Sequence, residues 1–115
     1  MAKSTGPITI PVISDETVGI SDPISSNQGV HQGVAFFIKV IIPSIPSNAT
    51  TTLKIYDKDE DLIYSIPDLA DDAIHIISDI QIPLVERETV SATLSVAPEN
   101  NIEIVVKIFY ISDYR

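Results

Sequence analysis

Apolar and polar residues alternate with a period of two in several short segments after residue 33. Residues 51–56 (TTLKIY) and 62–66 (LIYSI) flank the charged stretch DKDED. Segments of this length that are rich in β-branched residues are typical of strands, and this pair predicts a β-hairpin. The close spacing of such segments predicts an all-β fold, either an antiparallel β-sandwich or a small, jelly-roll-like barrel.

Residues 89–97 (TVSATLSVA) alternate most regularly, and the turn PENN then leads into the C-terminal segment. Successive side chains of a strand point to opposite faces. The apolar positions are therefore predicted to face the core and the hydroxyl side chains between them to face solvent. The predicted core positions are Val90, Ala92, Leu94 and Val96.

Two longer segments, 34–42 (VAFFIKVII) and 102–111 (IEIVVKIFYI), are apolar on both faces of an extended chain. A two-layer sandwich covers only one face of each sheet, so the second face of these strands needs another cover. Leaving even three such side chains in water would forgo about 1.5–3 kcal/mol each. The cover is a neighbouring subunit, the N-terminal segment of the same chain or residues 68–80. The candidate interface residues on the strands are Phe37, Ile41, Val105, Phe109 and Ile111.

All four glycines lie in the first 33 residues, among several prolines. We therefore divide the chain into an extended N-terminal arm or loop, residues 1–33, and a β-sandwich body, residues 34–115. Pro11 has no N–H, so the stretch ITIPVI can only be an edge strand or a strand laid on another surface. We expect the arm to add as a strand to an adjacent chain, and the alternative is that it folds back onto its own body. The arm residues predicted at this interface are Ile8, Ile10, Val12 and Ile13.

Residues 68–80 (DLADDAIHIISDI) are ambiguous. Their apolar positions lie near a helical spacing, with Asp68 as a plausible N-cap. The stretch AIHII fits a short strand equally well. The body therefore holds either one short helix or an additional strand here.

The net charge of −9 argues against binding to nucleic acid, which requires a basic face. Eight of the sixteen acidic residues lie between positions 57 and 79, with one base among them. This region is predicted to form an acidic patch, which either docks a basic partner or cations or is simply a solvated surface. The patch residues are Asp57, Asp59, Glu60, Asp61, Asp71 and Asp72.

The sequence has no cysteine, which excludes disulfides and thiol chemistry. The longest apolar run is interrupted by Lys39, so no membrane-spanning segment is predicted. The first residues do not resemble a secretion signal. These features favour synthesis in a reducing cytoplasm.

No catalytic or cofactor motif is present. The glycines form neither a dinucleotide-binding nor a phosphate-binding pattern, and there is no GxSxG sequence. His31 and His75 have no partner at a metal-ligand spacing. The DKDED stretch begins like a calcium-binding EF-hand loop but has Leu62 at the sixth position and Asp68 at the twelfth. We therefore expect a protein that is not an enzyme and has no catalytic residue, metal or cofactor.

The stretches TTLKIYDKDEDLIYSI and IPLVERETVSATLSVAPENNIEIVVKIFYI resemble the small β-sandwich structural proteins of tailed bacteriophages. These include head decoration (auxiliary capsid) proteins and related adaptor or tail components. The likeness lies in a short acidic hairpin, the sequence IPL and a long Ser/Thr-alternating hairpin near the C-terminus. It implies a homo-oligomer, often a trimer, that binds the major capsid protein or another virion protein and reinforces the shell. It also implies a place in the virion, with assembly in the host cytoplasm. The net charge and the lack of a membrane-spanning segment predict that neither nucleic acid nor membrane is a partner.

The alternative function is a carbohydrate- or calcium-binding β-sandwich module, in which the acidic loops hold the ligand. A third hypothesis is a small enzyme, which would need a pocket of converging polar groups that the sequence does not indicate.

Overall fold

The computed structural model describes residues 2–5, 7–22, 32–45, 48–57, 59–85 and 88–112. The described part contains ten strands and no α-helix. The strands are β1 (Ala2–Ser4), β2 (Ile8–Val12), β3 (Val18–Ile20), β4 (Gln32–Ile42), β5 (Thr51–Tyr56), β6 (Leu62–Leu69), β7 (Ala73–Ile77), β8 (Ile82–Val85), β9 (Thr89–Leu94) and β10 (Ile102–Ser112). Since there is no described helix, none is long and apolar enough to cross a membrane.

The strands form two antiparallel sheets that pack face to face. Sheet A has β10 and β4 at its centre, with β1 and β2 along the free edge of β10 and β7 and β8 along that of β4. Sheet B has the order β3-β9-β5-β6. If β1 with β2 and β7 with β8 each count as one interrupted strand, the molecule has two four-stranded sheets. The connections then follow the jelly-roll pattern, so the predicted all-β sandwich is confirmed.

The core lies between the inner faces of the two sheets. In sheet A, Val106 pairs with Val40 and Ile108 with Ile38, and all four side chains are buried. In sheet B, the inner positions of β5 and β9 are apolar apart from Thr51. Burial alternates along β5, but on β9 Ser91, a hydroxyl side chain predicted to face solvent, is also buried, at 6%. Val90, Ala92 and Leu94 are buried as predicted.

The prediction for Val96 is wrong, since its side chain is 41% exposed. Strand β9 ends at Leu94, opposite Thr51 at the start of β5. The Ser95 N–H still donates to the Thr50 carbonyl at 2.9 Å, but residues 95 and 96 form a bend and the alternation stops.

The predicted hairpin between residues 51 and 66 is confirmed as β5 and β6. At its tip the Asp57 carboxylate accepts hydrogen bonds from the backbone N–H groups of Asp59 and Asp61, both at 2.9 Å. Glu60 adopts a left-handed conformation with φ of 67°. A short side chain that bonds its own turn in this way is typical of Asx turns.

The ambiguous segment contains the strand β7, not a helix. Its residues pair with β4 from Ile38↔Ile77 to Ile42↔Ala73. Pairing satisfies the backbone groups of β4 along this edge, which a helix could not do. Ile74 and Ile76 are exposed because they point to the side of sheet A that faces away from the core.

Residues 8–12 of the predicted arm pair with β10 of the same chain, which is the folded-back alternative. Pro11 lies on this edge strand, as its missing N–H requires. The next strand, β3, crosses into sheet B, and Gly19 packs so closely on the Pro11 carbonyl that a Cβ there would clash. Residues 23–31, which form most of the predicted loop, lie outside the described residues.

Candidate interaction surface

The side of sheet A that faces away from sheet B is hereafter the outer face of sheet A. Its side chains are ordered in rows that cross the strands. The central row contains Val105 on β10, Ile41 on β4 and Ile74 on β7, because these residues are register partners. All three side chains point away from the core, which is formed by their chain neighbours.

The outer face of sheet A is apolar over most of its length. Its exposed side chains include large aliphatic groups on all three of its main strands, and Ile74 is 59% exposed. Exposed apolar side chains grouped on one face in this way are typical of contact sites, so this face is the candidate interaction surface. The exposed large apolar residues of β4, β7 and β10 are Val34, Phe36, Ile41, Ile74, Ile76 and Ile111.

Two phenylalanines lie side by side on this face. Phe37 and Phe109 are register partners, and their rings meet edge to face with centroids 5.2 Å apart. Both are half-buried. The register shifts next to this pair, so that Tyr110 pairs with Ala35 and Phe36 is the extra residue. Such a bulge turns a side chain that regular alternation would bury towards the surface, and Phe36 is exposed.

Burial at this end of β10 also affects Tyr110. Its side chain is buried on the inner face, and this loss of solvation raises the pKa of the phenol above its ordinary value of 10.0.

Two lysines lie directly opposite each other on the same face. Lys39 of β4 and Lys107 of β10 are register partners, and Ile76 of β7 continues their row. Both lysines are half-buried, and no hydrogen bond or ion pair joins either of them to a described residue. Like charges directly opposite on a sheet are destabilising. The chain has only seven basic residues, and two of them are paired at this position.

The opposite side of the central row is acidic. Glu103 lies outward on β10, opposite Pro11 of β2. Pro43 follows the last residue of β4, and its carbonyl accepts a hydrogen bond from the Asp72 N–H at 3.0 Å. Just past the paired part of the sheet, Asp72 therefore lies beside Pro43 at the level of Glu103, and its backbone is left-handed with φ of 50°. Both Glu103 and Asp72 are exposed.

All five predicted strand interface residues lie on the outer face of sheet A. Phe37, Ile41, Val105, Phe109 and Ile111 alternate with the buried residues of β4 and β10. Their role in an interface stays a prediction. Ile74 and Ile76 were not predicted at this surface, because their segment fits a helix and a strand equally well. The pairing of the two lysines was not predicted either, because it depends on register.

The predicted arm residues are placed differently. Ile8, Ile10 and Val12 are buried in the core of their own chain, and only Ile13 is exposed, at 55%. A contact between these three buried side chains and an adjacent chain would require exchange of β2 between copies.

The six predicted acidic residues fall into two groups. Asp57, Asp59, Glu60 and Asp61 are at the β5–β6 turn, whereas Asp71 and Asp72 follow the other end of β6. Strand β6 has eight residues, which separates the groups by about 26 Å. The Asp71 carboxylate accepts a hydrogen bond from the Ile45 N–H at 2.8 Å, and this bond stabilises the loop that follows β4.

Chemically active groups do not converge in the described part of the chain. Among its residues there is no group of three or more side chains that could hold a metal ion. One ring nitrogen of His75 bonds the Ala70 carbonyl at 2.7 Å. The carboxylate of Asp57 is engaged with its own turn. Glu88, which no sequence pattern singled out, is fully buried just before β9.

Comparisons with known protein families and with curated proteins find no match. Among solved structures, the chain is similar to the acidic stable capsid of Helicobacter pylori bacteriophage KHP30, with a TM-score of 0.49 and 16% identity over 96% of this chain and 92% of that chain. It is similar to the Yersinia pseudotuberculosis-derived mitogen, with a TM-score of 0.42 and 11% identity over 100% of this chain and 91% of that chain. It is also similar to a Nora virus structure, with a TM-score of 0.41 and 14% identity over 100% of this chain and 61% of that chain. These scores and identities are too low to carry any argument about function.

Proposed function

We propose that this chain is a non-enzymatic structural protein of a virion, which assembles through the outer face of sheet A. The observation that carries the proposal is the apolar character of that face on strands whose inner face already fills the core. Exposed apolar area of this extent is stabilising only when another surface covers it.

The kind of assembly is inferred from the sequence resemblance to small β-sandwich proteins of tailed bacteriophages. Within that group, we propose a capsid decoration or auxiliary protein, which binds the major capsid protein and reinforces the shell. Fold alone does not decide between such roles, because jelly rolls serve many functions. The oligomer would bind a repeating lattice at several points at once, and such multivalent attachment strengthens modest contacts by 10²–10⁴ as an order-of-magnitude range.

The predicted contact between the arm and an adjacent chain is compatible with this proposal only if β2 is exchanged between copies. If residues 8–12 bind an adjacent chain, β2 would leave β10 of its own chain and pair with β10 of a neighbour. Exchange of an edge strand preserves every contact in the core and links two copies.

The proposal is tested with heads assembled from the major capsid protein encoded by the same genome. The purified chain is mixed with these heads and sedimented through a sucrose cushion. We expect it to sediment with the heads. Ile74→Asp places a charge on the outer face of sheet A and should remove most of the bound chain. Thr93→Asp, at an exposed position of β9 in sheet B, is the matched control and should bind as the wild type does.

Two results would contradict the proposal. One is wild-type binding by Ile74→Asp, which would mean that binding to the heads does not depend on the outer face of sheet A. The other is a genome of origin that encodes no capsid protein at all.

A further inference from the structure

The charged residues on the outer face of sheet A have an arrangement that complements itself. On β10, the outward residues Glu103, Val105 and Lys107 place an acid and a base at equal distances from Val105. On the whole face, a row with Lys39 and Lys107 lies on one side of the central row, and a row with Glu103 and Asp72 lies on the other.

From this arrangement we infer that the occupant of the outer face of sheet A is a second copy of the chain, related by a two-fold axis along the central row. The inference rests on the proposed function, because it names the partner of the same surface. The axis runs perpendicular to the strands and passes over Val105 and Ile41. Each β10 then lies antiparallel over the β10 of its partner.

This symmetry brings opposite charges together. A rotation about the central row places the lysine row of one copy over the acidic row of the other. Lys107 then faces the partner copy's Glu103, and Lys39 lies between its Glu103 and Asp72. Two face-to-face sheets cross at about −30°. Near the axis, this angle shifts a strand of one copy relative to the same strand of its partner by only a few ångströms. The carboxylates therefore stay within reach of the lysine side chains.

Two other positions of the axis along β10 do not bring opposite charges together. An axis over Lys107 would stack four lysines at the centre of the interface. An axis between Val105 and Lys107 would place each Lys107 over an apolar side chain and leave it without a counter-charge. Burying an uncompensated charge is strongly unfavourable, so the Val105 axis is the one that the charges permit.

The same symmetry also covers apolar groups further out. Ile13 follows β2 at the level of Asn101, and the Ser14 N–H donates to the Asn101 side chain at 2.8 Å. The row of Phe37 and Phe109 in one copy then lies over the partner copy's Asn101, beside the exposed Ile13.

The extent of the overlap is adequate for a stable dimer. It spans positions 101–109 along β10 and the four strand widths of sheet A, which corresponds to about 31 Å by 19 Å. This projected area of roughly 600 Å² per copy approaches the 800 Å² or so that each partner buries in a standard interface, and it exceeds that of most crystal contacts. The apolar rows supply the affinity, and the charged rows select this register over its neighbours.

The test uses charge reversal and sedimentation equilibrium. Lys107→Glu places two carboxylates together at both symmetric contacts, and Glu103→Lys places two ammonium groups there. Each variant should raise the dimer dissociation constant by about 100-fold or more. The double variant Glu103→Lys/Lys107→Glu restores both pairs and should dimerise much as the wild type does. Lys54→Glu, at a half-buried position of β5 in sheet B, is the matched control and should have no effect.

A mixture of the two single variants gives the sharpest readout. Within a heterodimer of Lys107→Glu and Glu103→Lys, both contacts between positions 103 and 107 are again between opposite charges. Native mass spectrometry with one variant isotopically labelled should show heterodimers and few homodimers. Circular dichroism checks that each variant is folded.

The possible failures are distinguishable. In one outcome the wild type is a dimer, Ile41→Asp abolishes the dimer, and the charge reversals have no effect. The face is then an interface, but the two-fold arrangement is overturned. If the wild type is monomeric but Ile74→Asp no longer binds heads, the second copy is overturned and the proposed function stands. If Ile41→Asp and Ile74→Asp both behave as the wild type, the inference and the proposed function both fall.

Discussion

The outer faces of the two sheets differ in the side chains that they present to solvent. On sheet A, β4 and β10 carry large apolar groups outward, including Ile41 and Phe109. On sheet B, the central strands β5 and β9 carry Thr52, Lys54 and Thr93 at the corresponding outward positions. Both sheets fill the same core with their inner faces. Exposed apolar side chains of sheet B, such as Val18 and Ile20, lie on its edge strand β3 and not on its central strands. The difference between the central strands therefore supports the proposal that another molecule covers sheet A.

The largest effect should come from one added charge on each face. Ile41→Asp places a carboxylate in the central row of sheet A, where both copies would bury it. We expect the dimer dissociation constant to rise at least about 1000-fold, because a buried unpaired carboxylate costs several kcal/mol. Thr52→Asp makes the matched change on sheet B and should leave self-association unchanged in sedimentation equilibrium. Equal effects of the two substitutions would remove the distinction between the faces.

The two faces of a single strand give the next comparison. Ile38 and Ile41 both lie on β4, but Ile38 is fully buried and Ile41 is 37% exposed. Ile38→Ala should lower the free energy of unfolding of the monomer by about 2–5 kcal/mol, since it leaves a cavity. Ile41→Ala should lower it by less than about 1.5 kcal/mol and should mainly weaken association. Urea denaturation at low protein concentration measures the first quantity, and a larger loss for Ile41→Ala would contradict the assignment of faces.

A disulfide can decide which chain pairs with β10 at the free edge of sheet A. Pro11 and Glu103 are register partners, and the chain has no cysteine of its own. In the variant Pro11→Cys/Glu103→Cys, we expect oxidation to form the bond within one chain, because paired strands bring two Cα atoms within disulfide range. The product should migrate as a monomer on a non-reducing denaturing gel, with either single cysteine variant as the control. A covalent dimer of the double variant would instead indicate exchange of β2.

The smallest effect concerns Tyr110, on the inner side of β10. Its pKa in the folded state is raised by burial, so the folded protein keeps a proton that the unfolded chain loses near pH 10. This contribution to stability is complete below the pKa of the unfolded chain and is lost as the pH rises through the folded pKa. We expect Tyr110→Phe to flatten the loss of stability as the pH rises above about 10, by at most about 1.4 kcal/mol per pH unit. Thermal melting of wild type and variant in parallel checks this, and identical slopes would exclude the effect.

The sequence was informative where a pattern repeats within one strand. The period-two alternation of residues 51–56 predicted β5 with its observed bounds, and the charged stretch beside it predicted the turn. It was less informative at edges and short strands. Strand β3 has three residues and a glycine at its centre, so its alternation is too short to read. Strand β7 has an apolar residue at four of five positions, which suits a helix and a strand equally.

On the outer face of sheet A, too, some features follow from the sequence and others only from the tertiary structure. The sequence alone determined that strands 34–42 and 102–111 have two apolar faces, because side-chain parity follows directly from backbone geometry. Which face meets the core was decided by tertiary structure, since both faces offer similar apolar area and only packing against sheet B distinguishes them. The pairing of Lys39 with Lys107, and the acidic row across from it, also depended on tertiary structure. Register between strands distant in sequence is set by the whole sheet, and no local pattern contains it.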